Sequence, residues 1–453
     1  MIAAQDVVER ALALSTADDA IVIVTDTSAA SLRWAGNSMT TNGMSTSRTW
    51  TVVSVLRTGT EVRVGTVTST SVDAADIAAV VAASEAAAHS AEPADDAMPL
   101  IDGDAVPTSW GDPAASTSID VFARVAADLA TGFDRSDRLY GFAEHTLDTV
   151  WLGTSTGLRR RHVQPTGSVE INGKRDGASA WAGSATRDFA DVHVPDLLAE
   201  LSRRLDWAAN RIDLPAGRYE TLMPPSTVAD MMIYLLWSME GRGAQEGRTA
   251  LSAAGGTRVG EQLTSLPLTM YSDPMEPGLE YIPFVETAAS SESISLFDNG
   301  MPVDRVDWIR YGAVGALAYP RSAAAEFDVP VAVPGSNLIL TGGSDASIDD
   351  LVANTERGLL LTTLWYIREV DPATLLLTGL TRDGVYLVED GEVRGAVNNF
   401  RFNESPLDLL RRASEVGATE PTLPREWKDY FTRTAMPPLR IPNFHMSSVS
   451  KAT

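Results

Sequence analysis

The sequence has no cysteine among its 453 residues. That absence removes disulfides, thiolate nucleophiles and every cysteine-ligated zinc or iron–sulfur site. Histidine is scarce as well: His89, His145, His162, His193 and His445 are the five, and no two lie within five residues of each other. The H-x-x-x-H and H-E-x-x-H spacings that place two imidazoles on one helical face therefore do not occur, while a metal site gathered from distant histidines stays open. Long apolar runs are missing too, since no stretch approaches the roughly 20 residues a membrane span requires. The opening Met1-Ile2-Ala3-Ala4-Gln5-Asp6 has neither the basic flank nor the apolar core of a signal peptide, so a soluble, cytoplasmic protein is expected. Basic charge is in short supply, with 36 Lys and Arg against 60 Asp and Glu and a net charge of −24. Such a balance repels phosphate backbones and anionic lipid, which disfavours nucleic acid and membrane as direct ligands.

What is present reads as two or three domains, on a prior of about 150 residues each. Residues 1–92 predict a small N-terminal α/β domain. An amphipathic helix spans Ala4–Leu14, Val- and Thr-rich strands follow at Ala20–Val24, Trp50–Leu56 and Glu61–Val67, and Asp73 opens an alanine-rich helix reaching Ala88. Residues 93–214 form a middle α/β region that begins in a loop or linker over 91–118. It continues with a helix at Ile119–Ala130, strands at Tyr140–Leu152, Arg159–Ile171 and Ala178–Ser184, and a helix at Pro195–Ala208 with Leu197, Leu198, Leu201 and Leu205 on one face. Residues 215–445 predict a β-rich C-terminal domain. It starts with a strand at Tyr219–Met223 and a helix at Thr227–Ser238, whose Thr227 and Asp230 have capping-box spacing. Further strands are expected at Leu279–Val285, Asp307–Tyr319, Asn337–Thr341, Gly358–Tyr366 and Thr374–Thr378, and a hairpin turns at Asp390-Gly391. A tail at 446–453 is expected to cap a surface and fray. The fold class is α+β: an N-terminal α/β domain with a mixed sheet, then a β-rich C-terminal domain.

Local motifs for catalysis are few. Gly153-Thr154-Ser155-Thr156-Gly157 fits G-x-S-x-G by letter, but a nucleophile elbow needs a helix after it and Arg159–Ile171 reads as a strand. Glu144, His145 and Asp148 alternate faces along a strand, so His145 reads as a surface strand histidine rather than half of a dyad. Asn172-Gly173-Lys174-Arg175 reads as a turn, and Gly342-Gly343-Ser344-Asp345 as a glycine-rich turn in place of an anion loop. Trp34-Ala35-Gly36-Asn37 with Thr41-Asn42-Gly43 reads as a loop whose Trp34 and Asn37 would serve partner contact if exposed.

Several segments together resemble the TldD/PmbA family. They are Arg33-Trp34-Ala35-Gly36-Asn37, Leu214-Pro215-Ala216-Gly217-Arg218-Tyr219-Glu220, Phe297-Asp298-Asn299-Gly300-Met301-Pro302, Tyr366-Ile367-Arg368-Glu369-Val370-Asp371-Pro372, Thr378-Gly379-Leu380-Thr381-Arg382-Asp383-Gly384 and Asn398-Asn399-Phe400-Arg401-Phe402-Asn403-Glu404-Ser405. They follow the family's order along residues 5 to 445. The resemblance implies a modulator of DNA gyrase or a peptide-processing metalloprotease, in which a TldD-type subunit carries an H-E-x-x-x-H zinc motif. Here the matching stretch is Met239-Glu240-Gly241-Arg242-Gly243-Ala244. Glu240 remains as a possible relic, but Met239 and Ala244 stand where the two imidazoles would be, and neither supplies a nitrogen donor to Zn²⁺.

The resemblance thus implies a TldE/PmbA-type subunit with no catalytic, cofactor-binding or metal-binding residue of its own. It would pair as a heterodimer with a zinc-bearing TldD-type subunit and act on peptides or unfolded protein segments. Two other functions stay open: an autonomous hydrolase with an unrecognised site, and a homodimeric peptide-binding scaffold without proteolysis.

Overall fold

The computed structural model describes residues 2–134 and 137–450. Helix α1 (Ala4–Leu14) buries Ala4, Val7, Val8 and Ala11, the one-sided stripe that the sequence pattern predicts. Strands β1 (Asp19–Ala35), β2 (Met39–Thr58) and β3 (Glu61–Ser69) lead into helix α2 (Ile77–Ser90). Asp73 accepts a hydrogen bond from the Ala75 N–H ahead of that helix. After helix α3 (Ala123–Phe133) come β4 (Arg138–Thr154), β5 (Arg159–Arg175), β6 (Ala178–Thr186) and helix α4 (Val194–Trp207).

All six strands form one antiparallel sheet in the order β3-β2-β1-β4-β5-β6. Strands of the 1–92 and 93–214 regions meet at its centre, because β1 bonds to β2 on one side and to β4 on the other. Residues 91–118 are stitched onto this sheet: Thr117 N–H donates to Ser28 Oγ, Ala115 N–H to Thr149 Oγ1, and Trp151 Nε1 to the Trp110 carbonyl. Helices α1 and α2 pack with Val22, Val24, Trp50 and Trp151, while α3 and α4 cover Leu139, Val169 and Ile171.

The C-terminal half holds the sheets of mixed direction and completes the α+β class. Its ten-stranded sheet runs, from one edge, Trp365–Asp371, Leu376–Leu380, Phe400–Glu404, Leu439–Val449, Gly217–Met223, Arg357–Leu361, Val385–Glu389, Glu392–Val397 and Arg211–Ile212, with Glu415–Val416 paired to Leu439–Val449 off that path. A second six-stranded sheet has Asn337–Thr341 parallel to Arg433–Met436 near its middle. Between them lies helix α5 (Pro225–Trp237), almost wholly buried and joined to the largest core. Among the described residues no helix is long and apolar enough to cross a membrane.

Several local expectations need correction. The tail is structural: Met446 pairs with Gly217, and Phe444 and Met446 are fully buried, because alternate side chains of Leu439–Val449 point into the core. Positions 451–453 of that tail lie outside the described residues. No strand forms over 279–285, whose apolar side chains Phe284 and Val285 are buried from irregular backbone; over 307–319, strands form only at Val306–Arg310 and Ala313–Val314, with Ala318 and Tyr319 in single bridges. Asn172-Gly173-Lys174-Arg175 continues β5 opposite Trp181–Ala178, and the turn falls at Asp176-Gly177, both with positive φ.

Candidate functional site

The stretch matching the family's metal motif lies where α5 ends. Ser238 leaves the helix and Glu240 is extended at φ −77 and ψ 123, after which the short helix α6 (Gly241–Gln245) begins. The chain here is pinned to Ala318, whose N–H donates to the Met239 carbonyl at 2.8 Å and whose carbonyl accepts from Gly241 N–H at 2.9 Å. Gly241 is required at this crossing, since a Cβ would overlap the Tyr319 ring. Met239 and Ala244 are 1% and 0% exposed and belong to the main hydrophobic core. The two positions that would offer imidazoles thus offer a thioether and a methyl group sealed among aliphatic side chains, and these residues do not fit a zinc ion. Among the described residues no three His, Asp or Glu side chains are grouped as a metal would need.

Glu240 alone turns outward, into a cavity of ≈ 580 Å³ lined also by Tyr234, Trp237, Arg248, Glu369 and Trp427. Burial raises its pKa, and neighbouring Glu292 adds to the rise while Arg248 opposes it. A carboxyl in this setting holds its proton to higher pH than a surface glutamate does.

One wall of the cavity rests on Asp230, which is fully buried. Its spacing from Thr227 resembled a capping box, but Pro224 occupies the cap and Thr227 Oγ1 donates to the Pro224 and Leu361 carbonyls instead. Asp230 Oδ1 accepts from Glu426 N–H at 3.0 Å, and its main-chain carbonyl accepts from Trp427 Nε1 at 2.8 Å. Those two bonds hold Trp427 against Trp237, ring centroids 4.9 Å apart. Oδ2 has no partner, and burial pushes the carboxyl well above the usual carboxylate range, against the Glu426 N–H bond and the Arg425 charge, which lower it. The stability it contributes is full below the unfolded carboxylate pKa of about 3.9 and is lost as pH rises through the raised folded value. Asp230→Asn should flatten that alkaline loss in urea midpoints taken from pH 5 to 9. Asp230→Ala, which strands the Glu426 N–H, should cost about 1–3 kcal/mol at every pH.

The other sequence candidates are structural. Ser155 sits in the β4–β5 turn, donating to Asp19 Oδ1 at 3.2 Å and accepting from Ala20 N–H at 3.1 Å. His145 is buried rather than on the surface. Its Nε2 must donate to the Arg187 carbonyl, 2.9 Å away, so Nδ1 accepts from Thr117 Oγ1 at 2.6 Å; burial draws its pKa down. Glu144 is exposed, and Asp148 accepts from Thr27 Oγ1, so no dyad forms. Trp34 is 2% exposed, pressed where a Cβ on Gly141 would collide with its ring, and is therefore unavailable to a partner. Asn37, at φ 67, ties its side chain to Leu139 N–H and to the Phe133 and Asp137 carbonyls. Gly343 lies against the Gly417 carbonyl, leaving no anion loop at 342–345. In the Phe297–Pro302 segment, buried Asp298 grips Arg321, which also reaches the Pro99 and Phe297 carbonyls. Sequence reasoning gave Asp230 a capping role and missed the aromatic cluster; a lone aspartate inside an apolar helix was the signal available.

A family model described as the PmbA/TldA metallopeptidase C-terminal domain matches residues 216–448. No curated protein matches the chain. Among solved structures, TldE from Thermococcus kodakarensis superposes with a TM-score of 0.78 at 16% identity, covering 97% of this chain and 99% of its own. A candidate modulator of a DNA gyrase from Thermotoga maritima gives 0.74 at 16% identity, with coverage of 97% and 99%. Another from Bacteroides thetaiotaomicron gives 0.74 at 15% identity, with 98% of each chain covered. At such identities the likeness establishes the fold, and the family match extends over more than half of the sequence. The chain belongs to the TldD/PmbA family.

Proposed function

We propose that this protein is the zinc-less, non-catalytic subunit of a TldD/TldE-type metallopeptidase, pairing in the cytoplasm with a zinc-bearing TldD-type chain that cleaves peptides or unfolded segments. The observation that carries the reading is the burial of Met239 and Ala244 in the core, which leaves Glu240 without the two ligands that flank it in the family's metal motif. The fold likeness to a protein named TldE supports it.

This chain's own contribution is then to hold substrate. Strand Trp365–Asp371 is an edge of the ten-stranded sheet and borders the Glu240 cavity through Ile367, Arg368 and Glu369. An extended peptide added along it gains main-chain hydrogen bonds with little sequence preference. The edge is bulged, and Glu426 already accepts from Ile367 N–H, so it offers a short platform.

The test is Glu240→Gln in the complex reconstituted with a TldD-type partner. Cleavage within about threefold of the unaltered complex is expected, because removing a general acid or base costs about 10²-fold or more. A loss of that larger size would give Glu240 a catalytic role and overturn the reading.

A further inference from the structure

A larger cleft than the one beside Glu240 lies elsewhere in the molecule. It has a volume of ≈ 960 Å³ and lies between the β5–β6 end of the N-terminal sheet and the segments that carry Trp365, Arg382 and Arg425. In a chain of net charge −24 this wall is cationic: Arg138, Lys174, Arg175, Arg382 and Arg425 line it against Asp176 and Asp383. Arg175 is consumed by Asp137 and Asp206. Arg382 and Arg425 are different, for among the described residues neither has a hydrogen bond or a salt bridge; both lie against rings, and Arg425 feels Asp230, Glu170 and Asp383 at longer range.

Arg425 is packed between two indoles, 5.6 Å from the Trp181 centroid and 5.3 Å from that of Trp365. Arg382 lies 6.0 Å from the same Trp365 ring. Burial lowers the pKa of Arg425; the charges of Asp230, Glu170 and Asp383 oppose that, and the Arg382 charge adds to it. The acids nearby are already engaged. Glu170 accepts from Trp181 Nε1 and pairs with Lys428, Asp383 accepts from Ser179 Oγ, and Asp230 Oδ1 accepts from Glu426 N–H. Trp365 Nε1 is itself buried without an acceptor. Two guanidiniums beside one indole, half-buried and with no protein acceptor for their fixed forks of N–H groups, are free to receive an anion.

We propose that this cleft binds the free carboxylate of a peptide, gripped by Arg382 and Arg425 with the indole faces of Trp181 and Trp365 covering the adjoining residues. A planar monoanion matches the guanidinium fork, whereas a phosphate dianion meets Asp176 and Asp383 on the same wall. Trp365 is also the first residue of the edge strand Trp365–Asp371. A peptide anchored here by its C-terminal carboxylate would therefore run antiparallel along that edge, towards the Glu240 cavity. The proposal rests on the peptide-holding role given above and assigns it an anchor and a direction.

The experiment uses the full chain alone and follows indole fluorescence or calorimetric heat on titration with one unstructured octapeptide in three forms. These are the free acid, the C-terminal amide, and the amide with a glutamate near its end; inorganic phosphate is titrated separately as a competitor. The free acid should bind at least about tenfold more tightly than the amide, the scale of a charge-assisted pair. Arg382→Gln, at a half-exposed position, should bring the free acid down to the amide's affinity, and Arg425→Gln should do the same. Restored affinity in the glutamate-bearing amide keeps the carboxylate site and assigns it to acidic side chains. Equal affinity of free acid and amide, no binding of either, or displacement by phosphate at lower concentration than the peptide acid would overturn the proposal. Recovering the peptide and weighing it by mass spectrometry reports cleavage by this chain separately, so failure of the non-catalytic reading is not confused with failure of the anchor.

Discussion

Arg440→Met should lower the stability of the protein by about 3–5 kcal/mol, the scale on which removing one partner of a buried charge network destabilises. Arg440 lies on the central strand Leu439–Val449 and its side chain is only 10% exposed. From there it donates to Glu220 Oε1, Glu415 Oε2 and Thr355 Oγ1, each at 2.7 Å, and to the Leu351 carbonyl at 3.0 Å. One guanidinium thus ties the strand that feeds α5, the helix Ile348–Ala353 and the edge pair Glu415–Val416 into a single unit. Methionine fills a similar volume but leaves Glu220 and Glu415 without their shared counter-charge, while the buried Thr355 hydroxyl and Leu351 carbonyl keep only their bond to each other. Lysine has the charge without the planar fork and should recover only part of the loss. The check is a urea titration, in which the midpoint should fall with the slope unchanged.

Gly65→Val should be comparably severe, for a steric reason. Gly65 is in the middle of β3, and a Cβ there would fall on the Ser84 carbonyl oxygen and the Ala88 nitrogen, both main-chain atoms of α2. Main chain cannot rotate aside as a flexible side chain can, so the whole alanine-rich helix must lift from the sheet. The smaller Gly65→Ala already meets that obstacle and should cost about 1–3 kcal/mol, with valine above it. Gly43 supplies the control, having ordinary φ and nothing within 4 Å of its would-be Cβ. Gly43→Ala should leave the thermal midpoint unchanged or slightly raised.

What could be read from the sequence was what is encoded locally. The amphipathic stripe of α1 and the Asp390-Gly391 turn, with positive φ at both residues, each follow from a few adjacent side chains. The Met239-Glu240 stretch can be located for the same reason, as a short motif, and the structure adds that Met239 and Ala244 are buried in the core. Nonlocal features were not. The pairing of Met446 with Gly217 draws the start of what reads as a tail at 446–453 into a core strand, because hydrogen bonds to a distant strand outweigh local preference. Asp230 looked like a cap until tertiary packing buried it, and Trp181, Trp365 and Arg425 meet only once the two halves of the chain fold together.

The central claim is that the chain lacks the metal chemistry of its family and depends on a partner for cleavage. The most direct test is zinc content per chain, with cleavage of an unstructured peptide, for the purified protein alone and again with a TldD-type partner. Less than about a tenth of an equivalent of zinc and no cleavage by the protein alone, with both appearing in the mixed complex, is the predicted result. An equivalent of zinc in the lone chain, accompanied by cleavage, would contradict the account.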